Sequence, residues 1–138
     1  MVEYYKSVVF ENYANFSGRA RRSEYWYFVL AHALIISILG IVCSISFSIS
    51  ESLGYILIGL LVVYVLAIIV PSLAVIVRRL HDIGKSGVYF FVRFIPFVGG
   101  IWLLVLLFTE GNNGRNMYGE DPKEIFDEID EIGEETGY

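Results

Sequence analysis

Two long apolar runs dominate the pattern of hydrophobic and polar positions. Residues 25–50, YWYFVLAHALIISILGIVCSISFSIS, hold no formally charged side chain, and residues 52–77, SLGYILIGLLVVYVLAIIVPSLAVIV, hold none either. A helix needs roughly 20 such residues to cross a bilayer core. Many of the positions are Ile or Val, which suit strands, but apolarity without alternation over this length is not the period-two pattern of a barrel. The pattern therefore predicts two membrane-spanning helices. Pro71 falls about two turns before the end of the second, where it should kink the helix without ending it.

A third apolar stretch, residues 86–109 (SGVYFFVRFIPFVGGIWLLVLLFT), is interrupted by Arg93, Pro96 and the Gly99-Gly100 pair. It reads as one kinked span with Arg93 snorkelling toward the side of Lys85, or as a short interfacial helix followed by a short span from Phe94 to Thr109. A re-entrant hairpin turning at Gly99-Gly100 is the third reading. The expectation is three crossings in all.

Both flanks carry helical signals. Tyr5, Val9, Tyr13 and Phe16 recur at helical spacing with Lys6, Glu11 and Asn12 off the stripe. This predicts a short amphipathic helix, lying on the membrane surface or packed on the spans from the water side. Tyr25, Trp26 and Tyr27 then stand where interfacial aromatics belong. Toward the other end, Asp121-Pro122-Lys123-Glu124 reads as a helix start, with Asp as N-cap and Pro at the first position. Ile125, Ile129 and Ile132 continue it as a narrow apolar seam, Gly133 marks its stop, and its acidic surface is expected to keep the tail solvated. The predicted fold is an all-α membrane protein: a membrane domain over residues 1–122, with spans at about 25–50, 52–77 and 86–109, and an acidic tail over 123–138.

Composition agrees, since 56% of the residues are hydrophobic and only 18% charged, a balance that suits lipid as solvent. The net charge of −5 hides an asymmetry: residues 110–138 carry ten acids against two bases, a net of −8, which leaves +3 on the remainder. The bases cluster at Arg19, Arg21 and Arg22 before the first run, are absent between the first two runs, and return at Arg78, Arg79 and Lys85. By the positive-inside rule the N-terminus and the second connection face the cytoplasm. An acidic tail with bases confined to membrane flanks argues against nucleic acid as a partner. Cys43, the single cysteine, lies inside an apolar run, which rules out an intrachain disulfide or a cysteine-based zinc site. The first apolar run starts too late, and runs too long, for a cleavable signal peptide, so it is expected to act as its own insertion signal.

Three segments stand out together: Asn15-Phe16-Ser17-Gly18-Arg19-Ala20-Arg21-Arg22-Ser23-Glu24-Tyr25-Trp26; Pro71-Ser72-Leu73-Ala74-Val75 leading to Arg78-Arg79-Leu80-His81-Asp82-Ile83-Gly84-Lys85-Ser86-Gly87; and Asn116-Met117-Tyr118-Gly119-Glu120-Asp121-Pro122. Over about residues 5–122 the chain closely resembles the bacterial inner-membrane family of unknown function numbered 805, the YhaH-like proteins. The resemblance implies a protein of the bacterial cytoplasmic membrane whose activity is undefined. Two positions depart from it: Val88 stands where the family usually places a tryptophan, and Arg93 interrupts a stretch that is normally apolar. The acidic extension after Pro122 lies outside the shared pattern.

Candidate chemistry gathers at the flanks. Arg19, Arg21, Arg22 and Glu24 stand at the entrance of one predicted span, Arg78, Arg79, His81 and Asp82 at the exit of the next, and Lys85 just beyond. In an antiparallel pair these ends meet at one membrane face. Arg78 and Asp82, four apart, are placed to pair, and Glu24 to hold a further guanidinium. Planar guanidinium forks suit phosphate, which makes this face a candidate site for anionic lipid headgroups or a protein partner. The plainer alternative is topology determination with structural ion pairs.

Inside the apolar runs, His32 and Arg93 are the polar candidates. His32 has no second histidine at ligand spacing and is expected neutral, bonded to a serine or a backbone carbonyl. Arg93 is expected to snorkel, with pairing to Asp82 or Glu24 as the alternative. Ser44 and Ser48, with Gly40, suggest close helix packing within the bundle or a self-association face. Gly84-Lys85-Ser86 resembles the end of a phosphate loop, but the earlier glycine would fall at position 79, which is Arg, and no strand precedes it. No metal site, cofactor or catalytic set is predicted. The reading is a non-enzymatic module that binds a protein partner or anionic lipid through its cytoplasmic Arg-rich face. An oligomeric pathway for a small solute or ion is the alternative, and a lipid-headgroup enzyme ranks third for want of a nucleophile or metal set.

Overall fold

The structure is a computed structural model that describes residues 1–124. Among these, helix is the only extended regular structure, and one isolated bridge joins Asn116 to Gly119. The tail helix expected from Ile125 onward lies outside the described residues.

The two apolar runs form α2 (Arg22–Ile49, 28 residues) and α3 (Glu51–Asp82, 32 residues). At 1.5 Å per residue they measure roughly 42 and 48 Å, each long enough to cross a bilayer core. Ser50 alone joins them, in an extended conformation, so the chain reverses and the helices pack antiparallel. Gly54 makes the reversal close: a Cβ there would collide with the Phe47 ring. At the far ends of the pair, the Ala20 N–H donates to the Arg78 carbonyl at 3.0 Å. Most apolar side chains of both helices point outward, among them Ile38, Ile45, Ile56 and Val63, as suits lipid rather than water around them.

α3 runs through Pro71, which is fully buried. Proline cannot donate to the carbonyl four residues back, so Ala67 loses its helical partner. The Tyr13 hydroxyl replaces it, donating to the Ala67 carbonyl at 2.7 Å.

The N-terminal segment is helical over α1 (Val2–Lys6) and continues as one π-helical turn over Ser7–Glu11. It packs on the long helices: Tyr4 stacks on Tyr27 and Tyr5 on Phe28, and Val8 is fully buried. Tyr13 and Phe16, the later members of the predicted stripe, lie beyond this helix and are exposed.

The third apolar stretch differs most from expectation. It forms a 3-10 helix over Gly87–Phe94 and then a ten-residue helix, α4 (Gly99–Phe108). Ten residues rise about 15 Å, half of a bilayer core. More decisively, both ends of the stretch lie at the same end of α3. Gly87 abuts Val77, while beyond α4 the Asn112 N–H donates to the Asp82 carbonyl at 2.8 Å. The segment therefore leaves and returns at one end of α3, and of the three courses expected for it the continuous kinked helix over residues 86–109 is not formed. Its reversal falls at Ile95–Val98, just ahead of the Gly99-Gly100 pair, where Pro96 breaks the helical ladder and Phe97 adopts a φ of 66°. Gly99 is required on the return, since a Cβ would fall on the Val92 carbonyl oxygen. Leu103 and Leu107 of α4 complete the small buried core with Phe28, Val75 and Leu80.

Candidate functional site

The ends of α2, α3 and α4 converge on a buried charge network. The Asp82 carboxylate, in the last turn of α3, receives Arg19 Nε at 3.0 Å on one oxygen and Arg79 Nη1 on the other. All three side chains are almost wholly buried. Burying a charge costs free energy that pairing and hydrogen bonding must offset, and here every nitrogen of both guanidiniums has an acceptor. Arg19 donates to the carbonyls of Gly114, at 2.6 Å, and Asn112. Arg79 donates to Leu107 at 3.2 Å, to Ala20 at 3.4 Å and to Thr109. Leu107 and Thr109 end α4, whose last carbonyls have no intrahelical partner. Arg79 thus caps α4 from α3, where a cation also complements the helix dipole.

A second buried pair lies alongside: Arg78 Nη1 donates to Glu24 Oε1 at 2.7 Å, tying α3 to the first turn of α2. The spacing argument paired Arg78 with Asp82. Asp82 instead takes Arg79, three residues back, because Arg78 faces α2 and Glu24 while Arg79 faces the α4 terminus.

The Asn/Gly-rich segment after α4 folds over this network. The His81 ring stacks on Tyr118 with centroids 3.9 Å apart and donates from Nδ1 to the Gly18 carbonyl at 3.1 Å. Asn116 donates to the His81 carbonyl at 2.9 Å. Gly111 passes so close to Asp82 that a Cβ would overlap its carboxylate. Asp121 closes the segment, accepting the N–H groups of Gly114 and Lys123 at 2.9 Å each, with Arg19 Nη2 3.9 Å away. Burial alone would raise the Asp121 pKa. The two N–H groups and the Arg19 charge outweigh it and hold the carboxyl below its ordinary value.

Against this packed interior stands an open recess of about 210 Å³, walled by Arg21, Arg22, Ser23, Asp82, Gly111, Asp121, Pro122 and Lys123. Its carboxylates are engaged inward as just described. Arg22 and Lys123 are about half exposed and share the exposed Glu110, at 3.7 and 2.8 Å. Such surface pairs contribute little and exchange readily. A second, apolar recess of about 380 Å³ adjoins the first and shares Arg22 and Ser23 with it, continuing along Trp26, Tyr27, Leu30 and Phe108.

The flank residues singled out by sequence are thus brought to one end of the molecule but divided in role. Arg19, Arg78, Arg79, Glu24, His81 and Asp82 are committed to internal contacts. Arg21 and Arg22 face the recess. Lys85 lies apart, exposed over the Tyr89 ring at 5.3 Å. Lys123, Trp26 and Asp121 escaped the residue-level reading of the site. The signal for them was present, because Trp26 lies in the first motif, Asp121 in the third, and Lys123 directly follows it.

The candidates within the apolar runs resolve differently. His32 Nδ1 shares a hydrogen bond with the Tyr64 hydroxyl at 2.9 Å, and Tyr64 shares another with Tyr5 at 3.1 Å, so its partner is a tyrosine on α3. Arg93 is exposed near the hairpin turn, its guanidinium over the rings of Phe90 and Phe94. Asp82 and Glu24, the carboxylates considered for it, are held by other arginines. Ser44 and Ser48 are exposed, and α2 buries Cys43 and Ser46 instead. Among the described residues no group of three His, Cys, Asp or Glu side chains is placed to hold a metal ion.

The family described as "Protein of unknown function (DUF805)" matches residues 13–120. The inner membrane protein YhaI of Escherichia coli K12 is 44% identical over 122 residues, covering 88% of this chain and 97% of the relative. The inner membrane protein YhaH of the same organism is 36% identical over 121 residues, covering 83% of this chain and 93% of the relative. No solved structure matches the chain at a significant level. The family resemblance carried by the three motifs is borne out, and two of those motifs supply the buried network while the third lies over it.

Two measurements test the network. Asp82→Asn strands two buried guanidiniums and is expected to cost about 3–5 kcal/mol of stability, read as a large drop in thermal midpoint in detergent. An unchanged midpoint would refute the central place given to Asp82. For Asp121 the folded state favours the ionised form, so its contribution is present above the unfolded value of 3.8 and is lost as pH falls through the lower folded value. Between about pH 5 and pH 3 the native chain should therefore lose more stability than the Asp121→Asn variant, and parallel acid profiles would count against it.

Proposed function

The chain belongs to the DUF805 family, whose curated relatives are inner-membrane proteins, and we propose that it acts there as a binding module for an anionic headgroup or partner rather than as an enzyme. The observation that carries this reading is the basic recess at the start of α2. Arg21, Arg22 and Lys123 surround it, while Asp82 and Asp121 in its wall are already neutralised by Arg19 and Arg79. Arg22 and Lys123 share one exposed carboxylate, Glu110, and two cations set against one carboxylate suit a phosphate group.

In this reading α2 and α3 are the two crossings and the 86–109 segment dips into one leaflet and returns. The N-terminal segment, the second connection and the recess then share the cytoplasmic side, where bases concentrate and anionic lipid is available. Aromatic and aliphatic residues exposed on the hairpin, including Phe91, Phe94, Phe97 and Trp102, support its immersion. A solute pathway finds less support, because His32 is bonded to Tyr64 and Arg93 rests on aromatic rings.

Topology is checked by labelling with an impermeant maleimide in a Cys43→Ala background. Ser17→Cys and Asn113→Cys are expected to react from one side and Ser52→Cys from the other. Reaction of Asn113→Cys on the same side as Ser52→Cys would restore a third crossing and remove the re-entrant reading.

Binding is checked by thermal unfolding in detergent. Phosphatidylglycerol at a hundred times its Kd should raise the midpoint by about 5–10 °C. Phosphatidylcholine should not, and the Arg22→Gln/Lys123→Gln variant should lose most of the rise. Equal effects of the two lipids, or an undiminished rise in the double variant, would defeat the proposal.

A further inference from the structure

The basic recess has an apolar continuation that a soluble anion would leave empty. Arg22, Trp26 and Leu30 follow one another at four-residue intervals and so form one stripe along α2. The polar recess begins at Arg22, and the apolar one descends from it past Trp26 to Leu30, closed on its other side by Phe108 of α4. The Trp26 ring stacks on Phe108 with centroids 4.1 Å apart, fixing the floor of the descent. From Arg22 to Leu30 the stripe falls roughly 12 Å, less than half of a bilayer core. Trp26 also carries a buried indole N–H with no acceptor among the described residues.

From this continuity, and resting on the anion-binding reading above, we infer that the ligand is a phospholipid of the cytoplasmic leaflet, its phosphate held between Arg22 and Lys123 and one acyl chain lying along Trp26 and Leu30. Charge and shape select this occupant jointly. A free phosphate or phosphorylated metabolite satisfies the cations but leaves about 380 Å³ of apolar recess against water. A neutral lipid fills the groove but brings no anion to Arg22 and Lys123, which share the exposed Glu110. A phosphate-bearing amphiphile does both, and Arg22 and Ser23, common to both recesses, mark where its polar and apolar parts join. Leu30 and Tyr27 are each close to half exposed, so the groove opens sideways to where lipid would stand.

Native mass spectrometry of the full chain in a non-ionic detergent tests the inference with three probes: phosphatidylglycerol, glycerol 3-phosphate and inorganic phosphate. Phosphatidylglycerol should be retained one to one at concentrations at least about tenfold below those needed for the two soluble anions, because only it buries a chain. Leu30→Trp fills the groove at an exposed position that the fold does not need. It should lower phosphatidylglycerol retention about tenfold and leave glycerol 3-phosphate occupancy unchanged. Arg22→Gln/Lys123→Gln should lower both. Retention of phosphatidylglycerol undiminished in Leu30→Trp, or glycerol 3-phosphate bound as tightly as the lipid, would overturn the acyl groove while leaving the basic recess standing. Binding of all three probes unaffected by the double variant would overturn both readings, and a protein bound at the recess in place of lipid would overturn the phospholipid assignment.

Discussion

A single buried carboxylate organises the end of the molecule where all its segments meet. Asp82 accepts Arg19 from the chain entering α2 and Arg79 from its own helix, and those guanidiniums reach six carbonyls, at Ala20, Leu107, Thr109, Asn112, Gly114 and Gly119. They join the chain entering α2, the end of α3, the end of α4 and the segment that follows it. α2 and α3 are long enough to stand in a bilayer on their own hydrogen bonds, yet lipid gives apolar helices little reason to associate. Ion pairs and backbone capping supply the attachment at the end where α2 begins and α3 and α4 finish. Glycine follows as a requirement: at position 111 the backbone has to pass directly over the Asp82 carboxylate.

The same logic, a backbone group left without a partner and a side chain placed to meet it, recurs away from this centre. Pro71 frees the Ala67 carbonyl inside α3, and the Tyr13 hydroxyl takes it. α4 ends with free carbonyls, and Arg79 and Arg22 take three of them. A carbonyl exposed to hydrocarbon costs several kcal/mol, so each repair removes a penalty of about that size wherever lipid replaces water. The N-terminal helix belongs to this scheme, because it brings Tyr13 and Tyr5 to α3 and joins Tyr5, Tyr64 and His32 in one hydrogen-bonded row.

How much of this was legible in the sequence depends on the range of the interaction. Helix content and the limits of α2 and α3 follow from uninterrupted apolarity, a property of the local chain, and both emerge within a few residues of the expected bounds. Placing the arginines of the first two motifs at one end required only that the helices be antiparallel. Which arginine meets which carboxylate was not legible, since Arg78 and Arg79 differ by about 100° around the helix and only the position of α4 decides which faces Asp82. The course of residues 86–109 was underdetermined for a related reason. A largely apolar stretch of 24 residues is long enough to cross once or to dip and return, and its end is held to α3 by Arg79 on the α4 carbonyls, a contact between residues about 30 apart in sequence.

That division also relocates the chemistry. A cluster of arginines at a membrane flank looks like an anion site because each guanidinium is counted as available, and burial removes that availability from three of them: Arg19, Arg78 and Arg79 are 8%, 4% and 0% exposed. They shape the site without presenting charge to a ligand. The cations that remain accessible at the recess, Arg22 and Lys123, come from segments a hundred residues apart and meet only because Asp121 is anchored beside Arg19. The buried network therefore has a consequence beyond stability. By engaging Asp82 and Asp121 from within, it leaves Glu110 as the carboxylate that Arg22 and Lys123 share at the recess.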